Sequence, residues 1–259
     1  MQKRQLLIVA AELAALAALP AAALAGSGKV LSAGMDAAYP PFGSQDMKSG
    51  EYVGFDVDII KAIGRVSGFD VQVRNLPFDG LIPALRTGTI DIAINDITIS
   101  EERARTVDFS RRYYIAGLGV VVRAENRDIR TERDLEGKRL GVSIGSTGEI
   151  AAKKIAGAKV RVFNQLNEAF WELRNGGVDA VINDIPTNDY YVTTAGKGKV
   201  KSLALALTEE DLGIAVRKGN RELLGKINRG LERILADGTY AALYRKWFGK
   251  EPPKEIFRR

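Results

Sequence analysis

Apolar and polar positions along this chain follow two alternating periods. Phe55, Ile59, Ile60 and Ile63 recur at helical spacing within Phe55–Val66, and Ser67-Gly68 ends the run. Short apolar runs lie on either side, Val30–Met35 and Val71–Arg74, each reading as a strand. Asp79–Arg86 then predicts a helix and Ile90–Ile94 a buried strand. The rhythm returns later as strand Leu140–Ser143, helix Glu149–Ala156, strand Val160–Phe163, helix Asn167–Arg174 and strand Ala180–Ile182. Tyr39-Pro40-Pro41-Phe42 must be a turn, because adjacent prolines exclude helix. This alternation predicts an α/β protein with parallel sheets covered by helices on both faces. A length of 259 residues allows one large or two medium domains.

One stretch occurs twice. Leu85 to Ile97 aligns without gaps on Leu173 to Ile185, each copy running from a helix end through a glycine into a buried strand that closes on Asn-Asp. Any helix–glycine–strand unit shares the leucine, the glycine and the apolar positions. The pairs Asn95-Asp96 and Asn183-Asp184 are not explained that way. Ligands of open α/β sheets bind beyond the carboxyl ends of the strands. Two similar lobes presenting these polar residues therefore predict a site between them.

The N-terminus has its own pattern. Lys3 and Arg4 precede an apolar run from Leu6 to Leu19, and Ala23-Leu24-Ala25 offers a small-x-small cleavage site. This is the layout of a secretory signal peptide over residues 1–25, with cleavage after Ala25 and export of a soluble mature chain. The rival, an uncleaved anchor, needs a longer run, and Glu12 interrupts both readings.

Composition then narrows the chemistry. With no cysteine the chain cannot form disulfides, thiolate zinc sites or a lipidated-cysteine anchor, and with no histidine it lacks the commonest general base and metal ligand. No metal site and no cofactor is expected. The net charge of +6 is spread along the chain without a basic stripe carrying stacking aromatics, so nucleic acid is not an expected partner.

Three constellations could bind a ligand. In Asp96-Ile97-Thr98-Ile99-Ser100-Glu101-Glu102-Arg103, Ser100 is a natural helix cap and the glutamates suit a first turn. Arg103 opposes the dipole there. It reads either as a carboxylate clamp or as a surface partner of Glu101 or Asp108. Gly145-Ser146-Thr147-Gly148 lies between a strand and a helix, so it is either a tight turn or an anion site of free N–H groups. It lacks the lysine of a P-loop and the glycines of a dinucleotide fingerprint. Asp36, Tyr39, Phe42 and Phe78 lie near predicted strand ends, as core aromatics or as pocket walls.

These residues resemble the polar amino-acid branch of the bacterial ABC-transporter solute-binding proteins, family 3, which includes glutamine-, histidine- and lysine/arginine/ornithine-binding proteins. The matching stretches run in order over nearly the whole mature chain: Asp36–Phe42, Gly54–Asp58, Phe78–Leu85, Ile97–Arg103, Asp108–Ser110, Gly145–Gly148, Asp179–Asp184, Asp237–Tyr240 and Lys246–Gly249.

The resemblance implies an α/β, two-lobed periplasmic-binding-protein-like fold of type II. Each lobe is a mixed sheet flanked by helices, and there are two hinge crossings, near Ile115–Gly119 and Leu207–Gly213. Lobe 1 would comprise residues 26–115 plus 212–259, and lobe 2 residues 116–211. By similarity, Arg103 would hold a ligand α-carboxylate with the backbone N–H groups of Thr98 and Thr147. Asp184 would take the α-ammonium, Tyr39 and Phe78 would sandwich the side chain, and Asp36 would meet its polar tip. Asp96 departs from the small residue common at that position, and it either contacts ligand or points to solvent.

Arg103 and Asp184 neutralise the zwitterion and leave Asp36 and Asp96 over, which places arginine or lysine ahead of glutamine as ligand. Ser143, standing where glutamine-binding relatives have lysine, points the same way. The implied function is the periplasmic, monomeric, non-enzymatic binding component of an ABC amino-acid importer, read by a permease and its ATPase. Two alternatives remain. One is an enzyme on this scaffold of the cyclohexadienyl dehydratase kind, with Asp96 or Asp184 as acid. The other is a sensory domain, for which a second membrane segment or signalling domain would be expected after Arg259.

Overall fold

The computed structural model describes residues 29–258. The signal-peptide reading of 1–25 lies outside them. Two five-stranded sheets form the framework. The first has the order Phe69–Asn75, Lys29–Met35, Ile92–Ala93, Ala215–Arg217, Val107–Phe109. The second has the order Lys159–Phe163, Arg139–Ser143, Ala180–Asp184, Leu118–Arg123, Val200–Ala206.

The alternation alone predicts parallel sheets, and here the structure differs. In each sheet the first three strands are parallel and the fourth runs antiparallel to its neighbours. The reason lies in the connections. Tyr114–Ala116 and Glu210–Leu212 pair antiparallel as a two-stranded ribbon between the sheets. Leu118–Arg123 leaves this ribbon into the second sheet, and Ala215–Arg217 leaves it back into the first. A strand delivered this way needs no helical crossover, so it enters reversed. Each lobe is therefore a mixed sheet.

The repeated segment has the same anatomy twice. Helix Leu81–Thr87 ends at Gly88 with φ of 78°, and helix Leu166–Arg174 is followed by Gly176 with φ of 76°. These left-handed positions suit glycine, which has no Cβ to clash. Each chain then enters a central strand through an aspartate that tethers the adjacent strand. Asp91 accepts from the Ser32 N–H at 2.9 Å, and Asp179 accepts from the Arg139 N–H at 2.9 Å. Arg139 also closes a bidentate pair on Asp179, with its Nη2 2.6 Å from Oδ1. The two Asn-Asp pairs are thereby placed at the carboxyl ends of the two central strands.

The first lobe packs helix Phe55–Ser67 against helices Arg221–Ala236 and Thr239–Phe248. A Cβ on Gly230 would come within 2.8 Å of the Ile63 Cγ2, so glycine is what lets two of these helices approach. Phe55 is fully buried among Phe42, Tyr113, Tyr114, Tyr240, Tyr244 and Phe248, at centroid separations of 5.0–6.2 Å. Burying such a ring contributes roughly 2–3 kcal/mol, and it fixes the helix start that carries Asp56. A separate apolar cluster including Leu140, Val142, Ala180 and Ile182 supports the second sheet.

Candidate functional site

A small enclosed cavity lies where the two central strands point at each other. Tyr39, Phe78, Asp96, Thr98 and Arg103 line it from the first lobe, and Ser143, Ser146, Thr147 and Asp184 from the second. Its free space, about 10 Å³, is close to what one water needs. An amino-acid-sized molecule can enter only if the lobes part.

The sequence nominates eight residues and seven of them meet in this cavity. Asp36 is the exception. It is buried beside the cavity and accepts the Ala38 N–H at 2.9 Å, while its own N–H donates to Asn95 Oδ1 at 2.7 Å. Burial raises its pKa.

Arg103 sits in a helix of only four residues, Glu101–Ala104, capped by the Ser100 hydroxyl. So short a helix has little macrodipole, and the dipole argument from sequence loses its force. The surface-pair reading also fails: among the described residues no carboxylate lies within 4.0 Å of Arg103, and Asp108 pairs with Lys218 instead. The Arg103 guanidinium donates to the Thr98 carbonyl at 3.1 Å and, across the lobes, to the Gly145 carbonyl at 3.0 Å. It also lies over the Phe78 ring, 5.4 Å from its centroid. Burial lowers its pKa and the surrounding carboxylates raise it.

Two lining residues add backbone donors. Thr98 forms a lone bridge with Leu212, in which Ile99 and Gly213 make the ladder bonds, so the Thr98 N–H is left free of the ladder. Ser146 caps helix Thr147–Lys154 by accepting from the Glu149 N–H, leaving the Thr147 N–H as a first-turn donor. Gly148 is required next to it, because a Cβ there would come within 2.7 Å of the Ile182 carbonyl oxygen. A guanidinium and two N–H groups make a donor set suited to a carboxylate.

Two acids line the same cavity. Asp184 Oδ2 accepts from the Tyr39 hydroxyl at 2.7 Å, while Oδ1 is buried without a partner. Tyr39 also lies 2.6 Å from Asn183 Oδ1, two acceptors for one proton. Turning the Asn183 amide lets its otherwise orphaned Nδ2 donate to the Tyr39 oxygen, and Tyr39 then donates to Asp184. Burial raises the Asp184 pKa to about 7, opposed by the Tyr39 hydrogen bond. Tyr39 thus spans the lobes through its hydroxyl.

Asp96 does not face solvent. It is 4% exposed, and both carboxylate oxygens are buried without partners. Burial pushes its pKa well up, and Asp184, Asp56 and Glu210 push the same way. Its φ of 52° is left-handed, a cost of about 1–3 kcal/mol for a non-glycine residue. Asp56 holds this conformation: its Oδ2 accepts the Asp96 N–H at 2.9 Å and its Oδ1 accepts the Tyr113 hydroxyl at 2.8 Å.

Asp56 and Glu210 are absent from the sequence-derived site. Asp56 looks like an ordinary first-turn acid, and Glu210 sits in the run Glu209-Glu210-Asp211 that reads as solvated charge. Glu210 is in fact 8% exposed, and its Oε2 accepts from the Thr98 and Thr147 hydroxyls at 2.5 and 2.9 Å. Neither role has a local signal, because Asp96 and Tyr113, the partners of Asp56, and Thr98 and Thr147, the cavity-lining partners of Glu210, are distant in sequence.

The profile of the family described as "Bacterial extracellular solute-binding proteins, family 3" matches residues 31–250. The chain belongs to this family. The L-arginine-binding protein of Pseudomonas aeruginosa is 37% identical over 85% of this chain and 88% of its own. Among solved structures, an ancestral arginine-binding protein bound to arginine is 46% identical, with a TM-score of 0.81, covering 85% of this chain and 98% of that one. An ancestral amino acid-binding protein described as a precursor of cyclohexadienyl dehydratase is 41% identical, with a TM-score of 0.78, covering 85% and 95%. The fold is the two-lobed type II architecture of such family members. Among the described residues no helix is long and apolar enough to cross a membrane, and no cluster of potential metal ligands occurs.

Proposed function

We propose that this chain binds a basic L-amino acid, arginine or lysine, between its lobes as the extracytoplasmic component of an ABC importer. The observation that carries the reading is the charge of the enclosed cavity. Asp96 and Asp184 present buried oxygens without partners, against Arg103 as the one cation lining it among the described residues. A neutral zwitterion engages Arg103 and one aspartate and leaves the other without a partner, either protonated or as a costly buried charge. A cationic side chain removes that cost. Asp36 does not line the cavity, so the surplus acid within it is Asp96.

In this reading Arg103 and the N–H groups of Thr98 and Thr147 hold the α-carboxylate. Asp184 takes the α-ammonium, with Asp96 facing the cationic end or sharing the ammonium. Tyr39 and Phe78 wall the side chain. The lobes, residues 26–115 with 212–259 and residues 116–211, turn about the ribbon formed by Tyr114–Ala116 and Glu210–Leu212. Ligand bridging both lobes favours the closed form by its differential affinity. A permease with its ATPase then reads that form. The mature chain starts after Ala25, is periplasmic and acts as a monomer.

The enzymatic alternative draws on the relative described as a dehydratase precursor. Asp184, raised to about 7, is the candidate acid. Its Tyr39 hydrogen bond, which favours the ionised form, suits an ammonium better. A thermal-shift panel of amino acids, with prephenate and arogenate incubated alongside, separates the two. Stabilisation by arginine or lysine without turnover supports binding, and turnover of either cyclohexadienyl acid refutes it.

A further inference from the structure

Glu210 is a buried carboxylate without a cation within 4.0 Å among the described residues. Its three hydrogen bonds all come from threonine hydroxyls: Thr98 and Thr147 on Oε2, and Thr208 on Oε1 at 3.0 Å. The three donors belong to different parts of the molecule. Thr98 is in the first lobe, Thr147 opens a helix of the second, and Thr208 precedes the ribbon strand that carries Glu210. Thr98 and Thr147 line the enclosed cavity. Together with Glu210 they also line a separate open groove of about 1230 Å³ beside the ribbon, bordered by Arg133, Lys154 and Leu207. Glu210 therefore stands in the wall between cavity and groove.

The two arms of this contact are not equivalent. Glu210 sits in the ribbon about which the lobes turn, in the same strand as Leu212, and the bridge from Leu212 to Thr98 holds that threonine beside it. Thr147 is tied to Glu210 only through its hydroxyl, and parting the lobes breaks that bond. We propose that Glu210 is a positioning residue that latches the closed lobes through Thr147. It fixes the two threonines whose N–H groups face the ligand carboxylate and seals the cavity from the groove. A carboxylate suits the task because one oxygen accepts two hydroxyls at once.

The proposal deepens the amino-acid-binding reading, and its test works whether or not that reading holds. The chain has no cysteine, so Met47→Cys in the first lobe and Trp171→Cys in the second, both exposed, accept a fluorophore pair for energy transfer. In ligand-free protein, Glu210→Ala and Thr147→Val are expected to shift the population to lower transfer, an opening of the lobes. For L-arginine, measured by calorimetry and stopped flow, both variants are expected to weaken binding roughly 10- to 100-fold, through faster dissociation. Glu210→Gln keeps an oxygen for both threonines and is expected to stay within about threefold of the wild type. Wild-type transfer and dissociation rates in Glu210→Ala overturn the latch. A Glu210→Gln variant as weak as Glu210→Ala also overturns it, since charge alone then carries the effect. If wild-type protein binds no amino acid, the binding reading fails and the ligand-free transfer still decides the latch.

Discussion

Asp56 offers a test that does not depend on closure, because all its partners lie in the first lobe. Its carboxylate is fully buried and burial raises its pKa from 3.8 to about 7, against the lowering effect of hydrogen bonds from Tyr113 and the Asp96 N–H. A group whose folded pKa lies above its unfolded value contributes stability that is complete below the unfolded value and is lost as pH rises through the folded one. The gap between 3.8 and about 7, at 1.36 kcal/mol per pKa unit, is roughly 4 kcal/mol. Asp56→Asn keeps the size, can accept the Asp96 N–H and can donate to the Tyr113 oxygen, but it does not titrate. Urea unfolding of both proteins at pH 4, 6 and 8 should therefore show the variant gaining on the wild type by up to about 4 kcal/mol as pH rises, with most of the change complete by pH 8. A stability difference independent of pH would refute the reasoning, since Asp56 would then titrate alike in the folded and unfolded chain.

Other outcomes follow from the same geometry. Arg103→Ala should weaken L-arginine binding by roughly 100- to 1000-fold in calorimetry, the loss expected on leaving a buried charge unpaired, with an unchanged far-UV spectrum; normal affinity would remove Arg103 from the carboxylate end. Asp96→Asn should lower the preference for arginine over glutamine by roughly tenfold or more, and an unchanged ratio would show that Asp96 does not select charge. Asp184 must ionise to hold an ammonium, so with its pKa raised to about 7 it should make arginine affinity fall roughly 100-fold as pH drops from 8 to 5, and Asp96, whose pKa burial also raises, should add to the fall. Calorimetry near pH 6 in buffers of different ionisation enthalpy should then register proton release, and a flat profile would count against the assignment.

Much of this site is legible in the chain because it is repeated. The gap-free match of Leu85–Ile97 to Leu173–Ile185 places Asp96 and Asp184 at corresponding strand ends, and the structure puts both in one cavity. Arg103 is legible as an arginine in an odd place, although the dipole behind that inference fades in a four-residue helix. Sheet direction is not legible from alternation alone. Nothing local in Leu118–Arg123 or Ala215–Arg217 says that each enters its sheet from a ribbon rather than from a helix. Asp56 and Glu210 are hidden for a related reason. Asp56 meets Asp96 across 40 residues and Tyr113 across 57, and Glu210 meets Thr98 across 112. Their burial is a property of the assembled cleft, and as isolated residues they look like solvated acids. The role of Asp36 is drawn from resemblance, and what the structure adds is that it accepts a hydrogen bond from the Ala38 N–H beside the cavity.

The central claim is that a pair of buried aspartates opposite Arg103 selects a cationic amino acid. Calorimetric titration of the mature protein with L-arginine, L-lysine and L-glutamine at pH 8 tests it directly. The account predicts one site per chain for arginine or lysine, each tighter than glutamine, and no chemical change in the recovered ligand. Glutamine binding more tightly than both basic amino acids, or no heat with any of the three, would contradict it.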